Sequence, residues 1–376
     1  MRKTNSMNKK YIVICSNIPV FWENKFLDRN WCKQFPGASW MPILAEIAIK
    51  SGYEVMSGDI ALKNNINPKG IFVIQELNAR HGKKLLKKGA IGSVLIACES
   101  PIFSYYFYDN ISSISKKFHY RKLFNGSFNL IDKTNENIDM FFPSYSLYDD
   151  NEILIPWSKR NFSVMVAANK SANVPIPKGL KNQINWFIHK VYKTFSPSFI
   201  NGAKNELHSK RLEIITYFGK KSKIELFGSG WLDFKRFQKK DLEKLAPILR
   251  ELNPSFCENK INTIKKYKFI FCLENISYDG YVTEKIIDCL VASVIPIYLG
   301  APNITDFVPK DCFINLREFK TIEELEKYLD SISEEDAMKI ISNGQSFLSS
   351  QNGRKFSNEY FANDILKMVK SIDDNN

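Results

Sequence analysis

Short apolar runs alternate with amphipathic helical patterns along both halves of the chain, and this alternation restricts the fold more than any other feature. YIVICSN (11–17) reads as a buried strand. MPILAEIAIKSG follows, with Ile43, Leu44, Ile47 and Ala48 at helical spacing and a Gly stop. YEVMSGD, IFVIQEL and SVLIAC are further strand-like runs, and a basic helix is expected around RHGKKLLKKGA. Alternation of this kind predicts a parallel sheet covered by helices. No GxGxxG follows the first strand, so the dinucleotide fingerprint is absent.

The segment from Phe103 to Asn137 is aromatic, basic and weakly periodic. MFFPSY and EILIPW are expected to be the last strands of the first half, and FSVMVAAN the first strand of a second α/β unit. The pattern breaks between Lys170 and Lys210. SANVPIPKG is Pro-rich there, and NQINWFIHKVYKTF predicts a helix with Ile184, Phe187, Ile188 and Val191 on one face. Alternation returns with RLEIITYFGKKSKIELFGSGW, a helix and then the strand IELFG. KFIFCLEN, TEKIIDCLVAS, VIPIYLG, CFINLREF and TIEELEKYLDSI give strand, helix, strand, strand and helix, with Thr321 and Glu324 as a capping box for the last. SNEYFANDILKMVKSI is a terminal helix.

A chain of 376 residues exceeds what one core usually supports. The expected division is an N-terminal α/β domain at 1–160 and a C-terminal α/β domain at 161–345 with an insertion at 170–210. A C-terminal helix at 346–376 packs back across the domains. Two open α/β units of similar size imply a cleft between them.

The hydrophobic content of 44% and charged content of 25% are ordinary for a soluble globular protein. The net charge of +13 favours anionic partners, namely nucleotides, phosphates, nucleic acid or an acidic membrane surface, and a plain solvated basic surface also accounts for it. Seven Cys are scattered without CxxC or Cys/His spacing, and several lie in apolar runs, which implies a reducing compartment, no disulfide framework and no structural zinc. No run approaches the ~18 apolar residues of a membrane span. The basic N-terminus meets Pro19 and Glu23 early and has no small-residue cleavage site, so no signal peptide is expected, and Met7 is an alternative start.

The stretch YKFIFCLENISYDGYVTEKIIDCLVASVIPIYLGAP concentrates Glu274, Asn275, Tyr278, Asp279, Tyr281, Val282, Thr283, Glu284 and Lys285 in and after one turn. Thr283 is placed to cap a helix beginning at Glu284. Free N–H groups and the helix dipole would make an anion site there, at the strand-end position where open α/β sheets bind ligands. Lys285 suits such a position if a diphosphate sits beside it. A surface ion-pair cluster of Glu274, Glu284 and Lys285 is the plainer reading, and the residues alone leave both open.

The same run, ENISYDGYVTEKIIDCLVASVIPIYLGAPN followed by FVPKDCFINLREF, resembles the donor-binding signature of the α1,3/4-fucosyltransferases, glycosyltransferase family 10, in its bacterial form. The likeness covers some fifty residues and implies a GT-B fold, in which two Rossmann-like domains face each other across a cleft. It implies transfer of L-fucose from GDP-β-L-fucose with inversion, to a GlcNAc- or Glc-containing glycan in surface polysaccharide or lipopolysaccharide synthesis. By this resemblance Arg211 and Lys285 neutralise the pyrophosphate, and Glu274, Asn275, Tyr281, Val282, Thr283 and Glu284 bind the donor with them. Gly228 in ELFGSG matches a glycine ahead of the donor strand and allows close backbone approach.

An inverting transfer needs a base opposite the leaving group. LIACESPIF places Glu99 at a strand end, and the family puts its proposed base in a similar ESP context. A strand-end carboxylate paired with Lys or Arg is the plainer reading, and Asp109 and His119 are weaker rivals. No cofactor or metal ligand set is expected; Asp149-Asp150 reads as a loop, and stimulation by Mn2+ or Mg2+ is left open.

Several features depart from the family pattern. The first 90 residues match it only in alternation. The 170–210 stretch is longer than the usual connection; its helix could lie on the inner membrane surface, against which stands packing on the protein itself. No heptad repeats imply a coiled-coil dimer, and no N-terminal anchor is present, which points to a cytoplasmic protein. Two alternatives remain: another GDP-6-deoxyhexose as donor, or a non-catalytic protein that binds glycan or nucleic acid. No RRM, KH or helix-turn-helix pattern supports nucleic acid.

Overall fold

The computed structural model describes residues 9–146, 155–169, 180–237 and 239–375, apart from Pro36, Lys133 and Asn135. The chain divides into two units, 1–148 with 355–376, and 149–354.

The first unit is built on β1 (Tyr11–Cys15), β2 (Glu54–Ser57), β3 (Ile71–Glu76), β4 (Ile91–Ile96), β5 (Tyr120–Leu123) and β6 (Asn137–Asp139). They form one parallel sheet in the order β2-β1-β3-β4-β5-β6. The central strands are buried on both faces, which is why their sequences run apolar without alternation. Val13, Cys15, Val73 and Leu95 pack on one side. On that side Gly82, in the helix Arg80–Lys87, lies against Gln75 and Cys15. The other face takes the helices Trp40–Lys50 and Asn358–Asp373, which pack on each other through the rings of Trp40 and Phe361 at 5.1 Å. Tyr53 donates to Asp373 at 2.7 Å, and Lys122, almost wholly buried, pairs with Asp364 at 2.6 Å. These contacts bind the last helix into the first unit.

The second unit is built on β7 (Asn161–Val166), β8 (Glu225–Phe227), β9 (Tyr267–Leu273), β10 (Ile295–Leu299) and β11 (Ile314–Asn315), parallel in the order β11-β10-β9-β7-β8. Its core gathers Ile214, Phe218, Leu226, Trp231, Phe269, Phe271, Ile295 and Ile297. Burying each such side chain stabilises by about 1.5–3 kcal/mol.

The boundaries differ from those read in the sequence. The first division falls at 148/149 and not 160/161, because Trp157 is buried in the second unit's core and Arg160 donates to the Ser293 carbonyl at 2.5 Å. The last falls at 354/355, because the helix Glu334–Ser349 carries the chain past 345 within the second unit. MFFPSY is not a strand: 140–144 lie outside regular structure, where Pro143 has no N–H for a ladder, and Tyr145 makes only an isolated bridge to Ser357. Residues 152–154 of EILIPW, the segment SANVPIPKG and Asp149-Asp150 lie outside the described residues.

Candidate active site

At the C-terminal end of β9 the chain leaves the sheet through Glu274, whose N–H donates to the Leu299 carbonyl of β10 at 2.8 Å. The turn that follows is held from three directions. Leu207 N–H donates to the Asn275 carbonyl at 3.1 Å and Ser277 N–H to the Asn205 carbonyl at 2.7 Å. Gly280 N–H donates to Asn303 Oδ1 at 2.8 Å. Arg317 reaches in from beyond β11 and donates to Ser277 Oγ and the Gly300 carbonyl, both at 2.7 Å. A Cβ at Gly300 would stand 2.6 Å from Glu274 Cγ, so only glycine admits the carboxylate here.

Glu274 is fully buried. It accepts from Thr283 N–H at 3.0 Å, from the Thr283 hydroxyl at 2.8 and 2.9 Å, and from Lys285 Nζ at 2.7 Å. These bonds supply the charge and donors that a buried carboxylate requires. They also correct the capping expectation: Thr283 stands at the N-cap of the helix Glu284–Val291, but its hydroxyl makes no cap bond; it donates to Glu274 and its oxygen accepts from Lys285 Nζ at 2.9 Å.

Lys285 keeps 23% of its side chain exposed. Burial opposes its charge, but Glu274 and Glu284 outweigh it and raise the Lys285 pKa. Burial likewise works against the Glu284 carboxylate, and Lys285 and Lys260 more than compensate, so its pKa is lowered. Lys260, from the short helix Lys260–Ile264, pairs with Asp288 at 2.6 Å, one turn after Glu284. The sequence reading misses Lys260, Asp288 and Arg317; Asp288, inside GYVTEKIIDCLVAS, and Arg317, inside FINLREF, fall within the family-like run, and Lys260 carries no signal.

Arg211 is 4% exposed, on the helix His208–Gly219. One of its terminal nitrogens donates to the carbonyls of Leu273 and Glu274, both at 2.7 Å, and to Asn275 Oδ1 at 3.3 Å. It thus fastens the end of β9, and burial lowers its pKa. Arg211, Lys260 and Lys285 line one small pocket together with Cys272 and Cys289. Tyr281 and Val282 are buried, and Asn275 donates to the Tyr281 hydroxyl at 3.3 Å. Gly228 has φ +131°, and a Cβ there would fall 2.1 Å from the Ala167 carbonyl oxygen, which instead accepts from Trp231 Nε1 at 2.7 Å.

Glu99 lies in the first unit, three residues past β4. Its Oε1 accepts from Ser100 N–H at 2.7 Å and the Ser100 hydroxyl at 3.0 Å, and its carbonyl accepts from Tyr108 at 2.8 Å. Asp109 ends the short helix Tyr105–Asp109, and His119 is exposed. Among the described residues no group of three His, Cys, Asp or Glu side chains is placed to hold a metal, and no helix is long and apolar enough to cross a membrane.

Two parallel α/β sheets, with a charged turn at a strand end of the second, are the two Rossmann-like units of the GT-B fold. Two solved structures share it: an α1,3-fucosyltransferase (TM-score 0.51, 18% identity, covering 99% of this chain and 92% of that one) and a glycosyltransferase from Rickettsia africae (TM-score 0.54, 13% identity, 98% and 100%). Residues 199–340 match the family model described as glycosyltransferase family 10 (fucosyltransferase) C-term, so the likeness read in ENISYDGYVTEK holds over the segment that carries the site. The α-(1,3)-fucosyltransferase FucT of Helicobacter pylori is 45% identical over 73 residues, 19% of this chain and 15% of that protein. The α-(1,4)-fucosyltransferase of Arabidopsis thaliana is 38% identical over 69 residues, 18% of this chain and 17% of its own length. Human GDP-fucose protein O-fucosyltransferase 3 is 38% identical over 76 residues, 20% of this chain and 16% of that one. In each of these relatives the match spans less than a fifth of the protein's length.

Proposed function

We propose that this protein is an inverting fucosyltransferase that moves L-fucose from GDP-β-L-fucose to a hydroxyl of a GlcNAc- or Glc-containing glycan, in α1,3 linkage. The observation that carries the reading is the clustering of Arg211, Lys260 and Lys285 around one pocket at the end of β9, inside the segment that matches the fucosyltransferase family. Relatives named for fucosyl transfer match over 73 and 69 residues of the chain.

In this reaction Glu99 takes the proton of the acceptor hydroxyl as its oxygen attacks the anomeric carbon of fucose. The bond from that carbon to the β-phosphate oxygen breaks on the opposite face, and GDP leaves with the electron pair. Lys285, with the field of Arg211, stabilises the charge gathering on the diphosphate. Asn275, Tyr281 and Glu284 shape the donor pocket around phosphate, ribose or fucose.

Purified protein with GDP-fucose and a panel of GlcNAc- and Glc-terminated acceptors is expected to release GDP and give an α1,3-fucosylated product by linkage analysis. Release of GDP from another GDP-6-deoxyhexose, and none from GDP-fucose, would move the donor assignment. No release with any GDP-sugar would leave a binding protein.

The setting we propose is the cytoplasmic face of a membrane on which surface polysaccharide or lipopolysaccharide is assembled. In the helix Leu180–Phe195, Phe187, Val191 and Phe195 follow one another at four-residue spacing and are 61%, 42% and 77% exposed. Lys190 and Lys193 lie on the same helix and suit anionic headgroups. Cosedimentation with vesicles rich in anionic lipid is expected, and Phe187→Ser with Phe195→Ser should abolish it. Equal recovery of both proteins with vesicles would remove the membrane from the proposal.

A further inference from the structure

The first unit holds a buried carboxyl that the reaction above does not use. Glu76 ends β3, the third strand in the sheet order and flanked by β1 and β4. The register pairs Cys15 with Gln75, Glu76 with Ile96 and Ile96 with Lys122. Glu76, Ile96 and Lys122 therefore form one row across three strands, and Ser16, the residue after β1, follows Cys15 at the same edge. Two residues past Ile96, on the same alternation, is Cys98, and Glu99 follows it.

This row lies at the C-terminal edge of a parallel sheet, where open α/β folds bind ligands. Glu76 keeps 9% of its surface and Ser16 4%. The cation of the row is taken elsewhere, since Lys122 is paired with Asp364 of the last helix. Cys98 and Glu99 lie two and three residues past Ile96, the strand partner of Glu76, so both carboxyls stand at the same C-terminal edge of neighbouring strands. The other charged groups nearby are Asp59, which acts with Glu76 on Cys15, and Arg80 and His81 of the helix Arg80–Lys87, whose guanidinium and ring pack against Trp22. Trp22 Nε1 donates to the Ser16 carbonyl at 2.9 Å, which fixes the loop leaving β1.

We propose that Glu76, with Ser16, is an acceptor-side subsite that hydrogen-bonds a pyranose hydroxyl adjoining the one Glu99 deprotonates. The inference rests on the fucosyltransferase reading and adds the place where the acceptor sugar is held. A carboxyl left at a strand end with a serine partner and, among the described residues, no paired cation is an arrangement that a structural ion pair does not explain. Burial, only partly offset by the bond to Ser16, pushes its pKa up to about 7. Below that pH the group is neutral and donates one hydrogen bond while accepting others, which matches an alcohol oxygen and its proton. Above it the donor role is lost.

The test uses the full chain with GDP-fucose and its best acceptor. Glu76→Ala is expected to raise the acceptor KM roughly tenfold or more, the scale of a lost hydrogen bond in a site built for it, while donor KM and acceptor-free GDP-fucose hydrolysis stay at the wild-type level. In the wild type the acceptor KM should climb as pH passes about 7. In Glu76→Gln, which keeps a donor at every pH, it should stay flat. An acceptor KM within twofold of wild type in Glu76→Ala overturns the inference, and so does a climb in Glu76→Gln equal to that of the wild type. If Glu76→Ala does not fold, the comparison of wild type with Glu76→Gln decides alone. A wild type that neither hydrolyses nor transfers from GDP-fucose sinks the functional reading itself, and this inference with it.

Discussion

Glu99→Gln should reduce fucosyl transfer by at least about a hundredfold in kcat, the lower end of what a positioned general base contributes. The substitution is close to isosteric. Its side-chain carbonyl can still accept from the Ser100 N–H and hydroxyl, the bonds that hold Glu99 at 2.7 and 3.0 Å. The amide cannot take a proton from an attacking alcohol. The donor KM should therefore stay within about twofold and thermal unfolding should be unchanged, leaving the loss in the chemical step. The non-catalytic alternative makes the opposite claim, since a glycan-binding protein has no turnover to lose. A Glu99→Gln variant retaining more than about a tenth of the wild-type kcat would remove Glu99 as the base, and Asp109 on the neighbouring helix would be the next residue to substitute.

What the sequence discloses about this protein tracks where the apolar pattern is continuous. β1, β3, β4, β7, β9 and β10 are largely buried on both faces, so each carries an apolar run, IVIC, IFVI, VLI, VMV, FIFCL and IPIYL. β5 and β6 have no such run. YRKL carries a lysine that reads as surface but is buried against Asp364, and that partner lies more than two hundred residues away in the chain. The helix Lys239–Leu252 has Pro247 in its interior, which breaks the helical reading at the place where the structure keeps it.

The turn after β9 is legible as a concentration of polar side chains, but not in how they are employed. The motif presents Glu274 as a donor ligand, and in the structure both of its oxygens are bonded to Thr283, one of them also to Lys285. It presents Arg211 as a cation for the pyrophosphate, and part of that guanidinium is committed to the carbonyls at the end of β9. Pairwise commitments of this kind depend on three-dimensional neighbours, and spacing along the chain does not encode them. Lys260 and Asp288 show the same limit: Lys260 belongs to no motif and Asp288 reads as an ordinary helix residue of the run, yet they meet at 2.6 Å, and Lys260 bears on Glu284.

On the proposed reading Lys285 serves two ends, the pair with Glu274 and the charge of the diphosphate, and substitution should separate them. Lys285→Met removes the cation paired with the fully buried Glu274, leaving a carboxylate whose remaining bonds come from Thr283 alone. Breaking a buried pair on one side costs about 3–5 kcal/mol, and the Thr283 donors place the expected loss near the lower figure. Urea unfolding should show it as a fall in midpoint with an unchanged slope. Activity should fall as well, because the proposed diphosphate site loses one of the three cations that line its pocket. The double variant Glu274→Gln, Lys285→Met distinguishes the causes. An amide in place of the Glu274 carboxylate leaves no buried charge to compensate and still accepts from Thr283, so much of the stability should return. The donor KM and kcat should not, if Lys285 itself meets the diphosphate. Recovery of transfer along with stability would mean that Lys285 acts only by holding Glu274 in place, and the charge for the leaving group would have to come from elsewhere in the pocket. Lys260 is the residue positioned to supply it, since it lines the same pocket and its pair with Asp288 leaves its side chain a quarter exposed.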